Sequence, residues 1–354
     1  MKSVLHIITT ISRGGAENQL LILVKEQLRQ GFDVSVVYLK GEPELLGDFE
    51  LLGAKVFQDA AKKGLLRQPW IIRKIAKKSR AVIHAHLPRA ELMTLFLPIS
   101  LTIVASRHNA EPFFPGAPKF LSNFLAKMVS LRTKHIIAIS QAVRKFLLNQ
   151  GEVFDKDKIE VVLYGYYCKR TVTERIKKFN LNLQKFGSVS RLSEQKDIPT
   201  MIKIFEKVKE EAPNAILEIV GAGPLESSLK SLTKKAKLET DINFLGKTDK
   251  IIEFIESLDV FILTSKYEGF GLALLEAIDA GVPIVASRNS AIPEVLGDDF
   301  PGLCQTGDVE DFFEKILLLR NPDYRLKVLE MQEKRILLFS AEMMANKIEQ
   351  CYFE

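Results

Sequence analysis

The stretch 264–287, TSKYEGFGLALLEAIDAGVPIVAS, constrains the fold of this chain more tightly than any other. Residues 260–263 just before it form an apolar, β-branched run with the length of a buried parallel strand. From Gly271 onward Leu272, Leu275, Ala277 and Ile278 recur at helical spacing, Gly281 stands where a C′ glycine belongs, and 282–286 reads as the next strand. The unit is therefore β-α-β. Glu268 lies in the loop before the helix and Glu276 in its second turn, so both carboxylates can face the carboxyl end of the strand. Between them Gly269, Phe270 and Gly271 offer backbone N–H groups at a helix N-terminus, which favours an anion. A phosphate flanked by carboxylates suits a bifunctional ligand such as a nucleotide-sugar, whose diphosphate takes the N–H groups while its hydroxyls donate to the carboxylates. Residue types alone equally allow a helix whose glutamates are simply solvated.

With 354 residues, 47% of them apolar, the chain can bury two cores. We expect domains over 1–165 and 166–335, with 336–354 a helix returning to the first. Cys168, Cys304 and Cys351 have unrelated spacings, no metal-ligand pattern and an odd count, which suits a reducing compartment. The N-terminus reads directly into a strand, without the pattern of a signal peptide. The longest apolar stretch, 92–105, is too short to span a bilayer, is interrupted by Pro98, and reads as a buried helix followed by a strand. On these features we expect a cytoplasmic protein.

Net charge is +6 but uneven. Residues 1–165 carry 24 Lys and Arg against 14 Asp and Glu, whereas 166–354 carry 26 against 30. A basic first half suits an anionic partner. No nucleic-acid-binding pattern accompanies the charge, so nucleic acid is not expected; the readings that stay open are a peripheral contact with the anionic inner face of the cell membrane, which fits better, and a solvated basic surface with no partner.

Along the chain, 4–9 reads as a strand, and Gly14 and Gly15 lie in the turn opening a helix to about Arg29. Paired glycines there admit a ligand's close approach or simply make a tight turn. A helix from Pro69 has Ile71, Ile72 and Ile75 inside and Arg73, Lys74, Lys77, Lys78 and Arg80 outside, a basic face that could meet phospholipid. The strand 81–87 puts His84 and His86 on one face, but no third metal ligand stands nearby in sequence. After the strand 103–106 comes Arg107-His108-Asn109, at the carboxyl end where open α/β sheets place ligands. Phe113 and Phe114 lie in a Pro-rich loop, buried or facing a lipid-bearing acceptor, before an apolar helix with Phe120 and Phe124. Asp155-Lys156-Asp157 reads as turn chemistry rather than a metal-holding pair. In the second half a strand over 186–190 leads to Arg191 and Lys196, a two-pronged donor and a point charge suited to a diphosphate. Gly221 begins a second glycine turn, Gly-Ala-Gly-Pro. Neither glycine turn carries a dinucleotide fingerprint, which counts against an oxidoreductase reading.

E-G-F-G-x₄-E at 268–276, with Gly281-Val282-Pro283 and Pro293-Glu294, is similar to the E-x₇-E signature of the retaining glycosyltransferases of family 4. That resemblance implies the GT-B fold, an α/β architecture of two Rossmann-like domains facing across a cleft. It also resembles the family in Gly14-Gly15-Ala16-Glu17, in His108 after its strand, in Arg191 with Lys196, and in the turn at Gly221. It departs at Ser190-Arg191-Leu192, where the family has Gly-Arg-Leu, and at Tyr164-Gly165, where it has Asn-Gly. By the resemblance, Gly14, Gly15, Arg191, Lys196, Gly221, Phe270, Gly271, Leu272 and Glu276 hold the donor, while His108 and Glu268 serve the reacting sugar. The implied activity is metal-independent, cofactor-free transfer from a nucleotide-sugar, UDP-linked by default and GDP-linked as the second choice, to a glycan or lipid-linked acceptor in cell-envelope polysaccharide or lipopolysaccharide synthesis. A GT-B-fold nucleotide-sugar epimerase and a non-catalytic donor-binding subunit share the same donor site.

Overall fold

The structure, a computed structural model, describes residues 2–79, 81–168 and 183–353. Arg80 and residues 169–182 of the expected domain connection lie outside the described residues. The chain forms two compact units, Met1–Tyr167 with Phe339–Glu354, and Cys168–Leu338.

The first unit alternates β1 (Ser3–Ile8), α1 (Gly15–Arg29), β2 (Asp33–Tyr38), α2 (Leu46–Leu52), β3 (Lys55–Phe57), α3 (Gln68–Ser79), β4 (Val82–His86), α4 (Pro88–Met93), β5 (Ile103–Arg107), α5 (Lys119–Arg132), β6 (His135–Ala138), α6 (Gln141–Gln150) and β7 (Ile159–Val161). Its strands pair in parallel in the order β3-β2-β1-β4-β5-β6-β7. Side chains alternate across the sheet with period two. Val4, Ile8, Val34 and Val36 meet Leu20 and Leu23 of α1, while Leu5, Ile7, Val37 and Ile83 meet Ile72 and Ala76 of α3.

The second unit runs β8 (Lys185–Val189), α7 (Ile198–Glu211), β9 (Ile216–Val220), α8 (Glu226–Lys235), β10 (Ile242–Gly246), α9 (Ile251–Glu256), β11 (Val260–Leu263), α10 (Leu272–Asp279), β12 (Ile284–Ser287), α11 (Ile292–Leu296), β13 (Leu303–Cys304), α12 (Val309–Leu318) and α13 (Pro322–Ile336). Its parallel order is β10-β9-β8-β11-β12-β13. Two expected elements shift. The strand expected over 282–286 starts at Ile284, because the Val282 N–H closes α10 on the Ala277 carbonyl and Pro283 has no N–H to give to a ladder. In the stretch 92–105, α4 ends at Met93 and continues only as one tight turn, Thr94–Phe96; Leu97, preceding Pro98, is forced into extended backbone.

The last helix, α14 (Ala341–Phe353), belongs to the first unit and packs on α1. Gly165 is its seat. The Gly165 N–H meets Met344 Sδ at 3.0 Å, its carbonyl accepts from Gln19 Nε2 at 2.9 Å, and the Tyr166 N–H donates to the Phe339 carbonyl at 2.7 Å. A Cβ at position 165 would lie 2.5 Å from Ala341 Cα, backbone that has no room to yield. Gly165→Ala is therefore expected to cost about 1–3 kcal/mol, the range for overpacking a well-filled core. Hydrogen exchange should show faster exchange in α14 with little change in the second unit's sheet.

Candidate functional site

In the second sheet strand order reverses between β8 and β11, and at such a switch point the loops leaving the two strands diverge and open a crevice. Arg191 and Lys196 follow β8, and Glu268 follows β11. Thr264 Oγ1 donates to the carbonyls of Lys196 and Asp197, Gln195 Nε2 donates to the Tyr267 carbonyl, and the Lys266 N–H donates to the Gln195 carbonyl. These bonds fasten one loop to the other. They bring Lys196 Nζ to 2.5 Å from Glu268 Oε1, which also accepts from Ser265 Oγ at 2.7 Å. The glutamate is buried and the lysine half-buried. Gly271 caps α10 with φ +93°, Phe270 is buried beneath it, and Leu272 and Glu276 are half-buried on the first two turns. Arg191 is exposed. Gly221 has φ +134°, and a Cβ there would lie 1.9 Å from the Ser190 carbonyl oxygen. The glycine turn is thus packed against the backbone leading to Arg191.

In the first sheet the order reverses between β1 and β4. Gly14 and Gly15 lie in the connection after β1, at the N-terminus of α1, where Glu17 accepts from Thr10 Oγ1 at 2.5 Å. His108 directly follows β5. Sequence offered no third partner for His84 and His86, and the structure corrects that: His6 pairs in register with His84 across β1 and β4, so three buried imidazoles have ligand-capable nitrogens within 4.8 Å of one another. The separation of 78 residues hid it, and His6, flanked by Val4 and Ile8 on the same face, reads as ordinary core. His108 joins this cluster. Its Nε2 lies 3.1 Å from His86 Nδ1, and its Nδ1 lies 2.5 Å from the Tyr164 hydroxyl. Both ring nitrogens are thereby engaged within the unit.

The residue before His108 is anchored as firmly. Arg107 Nε lies 2.7 Å from Glu91 Oε2, Nη1 lies 2.9 Å from Glu152 Oε2, and the guanidinium sits 4.4 Å from the centre of the Phe113 ring. Glu152 Oε1 in turn accepts from the Phe113 N–H at 3.0 Å. Phe113 is consequently buried and Phe114 partly so, whereas Phe120 and Phe124 of α5 are exposed. Asp155 accepts from the Asp157 N–H at 3.0 Å, local turn chemistry on an exposed segment.

Burial lowers the pKa of His6 to about 4 and of His108 to about 3, and holds His84 and His86 well below the ordinary range, with neighbouring imidazoles adding to the effect on the last two. The unfolded chain takes up these protons near pH 6.5 while the folded chain does not. The stability they contribute is present above 6.5 and is lost as pH falls toward 4. Glu91, raised to about 7 by burial against the pull of Arg107, and Glu17, raised by burial, act in the opposite sense, since stability linked to them is lost as pH rises from 4.5. Four histidines outweigh two carboxylates. Amide exchange in β1 and β4 should accelerate steeply between pH 6.5 and 4.5 after correction for intrinsic rates, with up to about 1.4 kcal/mol lost per pH unit for each histidine not offset.

Known proteins match this geometry along the whole chain. Residues 13–170 match the model of Glycosyltransferase Family 4, and residues 169–335 match that of Glycosyl transferases group 1. The N-acetyl-alpha-D-glucosaminyl L-malate synthase of Bacillus anthracis is 26% identical over 265 residues, 72% of this chain and 68% of that protein. Among solved structures, Anabaena Alr3699/HepE in complex with UDP and glucose superposes with a TM-score of 0.81 at 18% identity over 99% of both chains. A mutant of S. aureus TarM in complex with Fondaparinux, alpha-GlcNAc-glycerol and UDP gives 0.81 at 15% identity over 100% of both. Two consecutive family matches from residue 13 to 335, on two Rossmann-like sheets of the GT-B kind, assign the chain to the retaining, nucleotide-sugar-dependent glycosyltransferases of family 4.

Proposed function

We propose that this glycosyltransferase moves a hexosyl or N-acetylhexosaminyl group, without a metal, from a UDP-sugar to a glycan or lipid-linked acceptor of the cell envelope. The second unit holds the donor and the first serves the acceptor. The observation that carries the reading is the Lys196–Glu268 pair at the switch point, beside the N-terminus of α10. A cation and a carboxylate held 2.5 Å apart by loop-to-loop bonds form a site that a sugar diphosphate can divide. Lys196 passes to the departing phosphate, and the Glu268 oxygen it leaves is open to sugar hydroxyls. Arg191 and the N–H groups of Gly271 and Leu272 add to the stabilisation of the leaving diphosphate, where charge develops in the transition state. Glu276 takes the ribose. His108, on the first unit, takes a sugar hydroxyl. The bond from the anomeric carbon to the diphosphate breaks as the acceptor oxygen bonds on the same face, and the acceptor's proton goes to the leaving phosphate. UDP is favoured because both solved relatives described above were captured with it.

An exposed apolar face on the first unit supports an acceptor at an anionic bilayer. Leu66 just before α3, Trp70 in its first turn, Ile99 after the Thr94–Phe96 turn, and Phe120, Phe124 and Leu131 on α5 are all more than half exposed. Helices α3 and α5 both pack against that turn, so these side chains share one side of the sheet. Exposed lysines and arginines at 62, 63, 67, 73, 74, 77 and 78 accompany them. Apolar side chains among basic ones are the composition of a surface-bound, non-spanning contact. Among the described residues no helix is long and apolar enough to cross a membrane.

Thermal-shift measurements against UDP, GDP, ADP and their sugars test the donor. A rise with one UDP-sugar that disappears in Lys196→Ala and Glu276→Ala is expected, with kcat/KM in each variant down by about 10²–10³-fold, the cost of losing a transition-state donor or anchor. Near-normal turnover in both would defeat the site, and activity abolished by EDTA and restored by manganese would defeat the metal-independent chemistry. In sedimentation with phosphatidylglycerol vesicles the wild type should pellet, and Phe120→Ser with Phe124→Ser should stay in the supernatant. Equal pelleting with neutral phosphatidylcholine would remove the role of charge.

A further inference from the structure

The buried histidines form one continuous hydrogen-bonded chain, and the orientation of the Gln27 amide sets its direction bond by bond. Gln27 of α1, 1% exposed, lies at the centre. Its Nε2 donates to the Tyr352 hydroxyl at 3.0 Å, so its Oε1, 2.8 Å from His6 Nε2, must accept. His6 therefore carries its proton on Nε2 and leaves Nδ1 bare. His6 Nδ1 lies 3.0 Å from His86 Nε2, which must donate, leaving His86 Nδ1 bare. His86 Nδ1 lies 3.1 Å from His108 Nε2, which must donate in turn. His108 Nδ1 is then an acceptor, filled by the Tyr164 hydroxyl at 2.5 Å. On the other arm the Tyr352 hydroxyl has accepted from Gln27 and gives its hydrogen to His84 Nδ1 at 2.7 Å, and His84 Nε2 donates to Ser106 Oγ at 2.7 Å. Every imidazole is Nε2–H, the form neutral histidine prefers in water. Each imidazole and tyrosine hydrogen in the chain has one acceptor, and no cation is needed to complete the cluster. Turning the Gln27 amide over would reverse every bond on both arms.

We propose that Gln27 is a positioning residue for His108: through His6 and His86 it fixes the His108 ring as the Nε2–H tautomer, so that Nδ1 can only accept, and the substrate group recognised there must be a hydroxyl that donates. A hydroxyl arriving at Nδ1 takes the place of the Tyr164 hydroxyl, and a carboxylate or phosphate oxygen at the same point meets a lone pair. The last step rests on the reading of His108 as the sugar contact; the tautomers do not.

Burial keeps all four rings neutral, so the pattern should persist across the working pH range. Long-range proton–nitrogen correlation spectra of the full chain with labelled histidine decide it, because protonated and bare ring nitrogens resonate far apart. His135, outside the cluster, is the internal reference among the five histidines. In the wild type His6, His84, His86 and His108 should each show Nε2 protonated and Nδ1 bare at pH 7 and above. Gln27→Met should replace that uniform pattern at His6, His86 and His108 with mixed tautomers. If that variant does not fold, Gln27→Asn, which draws the amide back by one methylene, puts the same question to a smaller change. An Nδ1–H signature at His86 or His108 in the wild type, or an unchanged pattern in a folded Gln27 variant, would overturn the assignment. Unaltered donor turnover in His108→Ala would instead overturn the contact with the sugar, leaving the spectra to judge Gln27 separately.

Discussion

A parallel sheet whose strand order reverses diverges at one point on its carboxyl edge, and each half of this chain collects its polar chemistry there. The crossover helices cover the faces, so the apolar alternation of the strands is satisfied on both sides and the edge is left to loops. In the second unit that edge holds a salt bridge between residues 72 apart, and in the first it holds the glycine connection and His108. Backbone topology puts these residues within reach of one another before any side chain is considered.

What could be read in the sequence was whatever repeats within one element. Strand β11, the helix after Gly271 and the pairing of His84 with His86 on one face all follow from period two or period 3.6, and they stand in the structure as read. Contacts between elements were out of reach. Nothing local announces that Lys196 meets Glu268, that His6 completes a triad, or that both ring nitrogens of His108 are engaged. Exposure was ambiguous for a related reason. Phe113 and Phe120 are the same residue type close together in sequence, but Glu152 and Arg107 draw the first under the loop, while the second faces out from α5. β12 starts two residues into its apolar run, because Pro283 cannot join the ladder although its neighbours suit a strand.

The two polar centres of the first unit handle burial differently. Arg107 is held between Glu91 and Glu152 in a dry setting, where each depends on the others and the loss of one strands the rest. The histidines avoid charge altogether. Neutral imidazoles, an amide and hydroxyls satisfy one another in sequence, and such a chain is stabilising only while every link is made. The first arrangement pins backbone around Phe113, and the second orients rings.

The Tyr352 hydroxyl that joins Gln27 to His84 comes from α14, and this has a bearing on synthesis. All of Cys168–Leu338 is translated between the first unit's seventh strand and that helix. At about 5–20 residues per second the ribosome spends roughly 10–30 s on this insert, during which the nascent first sheet has its histidines but lacks the residue that joins His84 to the others. The second unit, continuous in sequence, can close while the first waits. The order of completion is then the reverse of the order of translation, and a chaperone that shields the open face of β1 and β4 during that interval would act on a surface the finished enzyme no longer has.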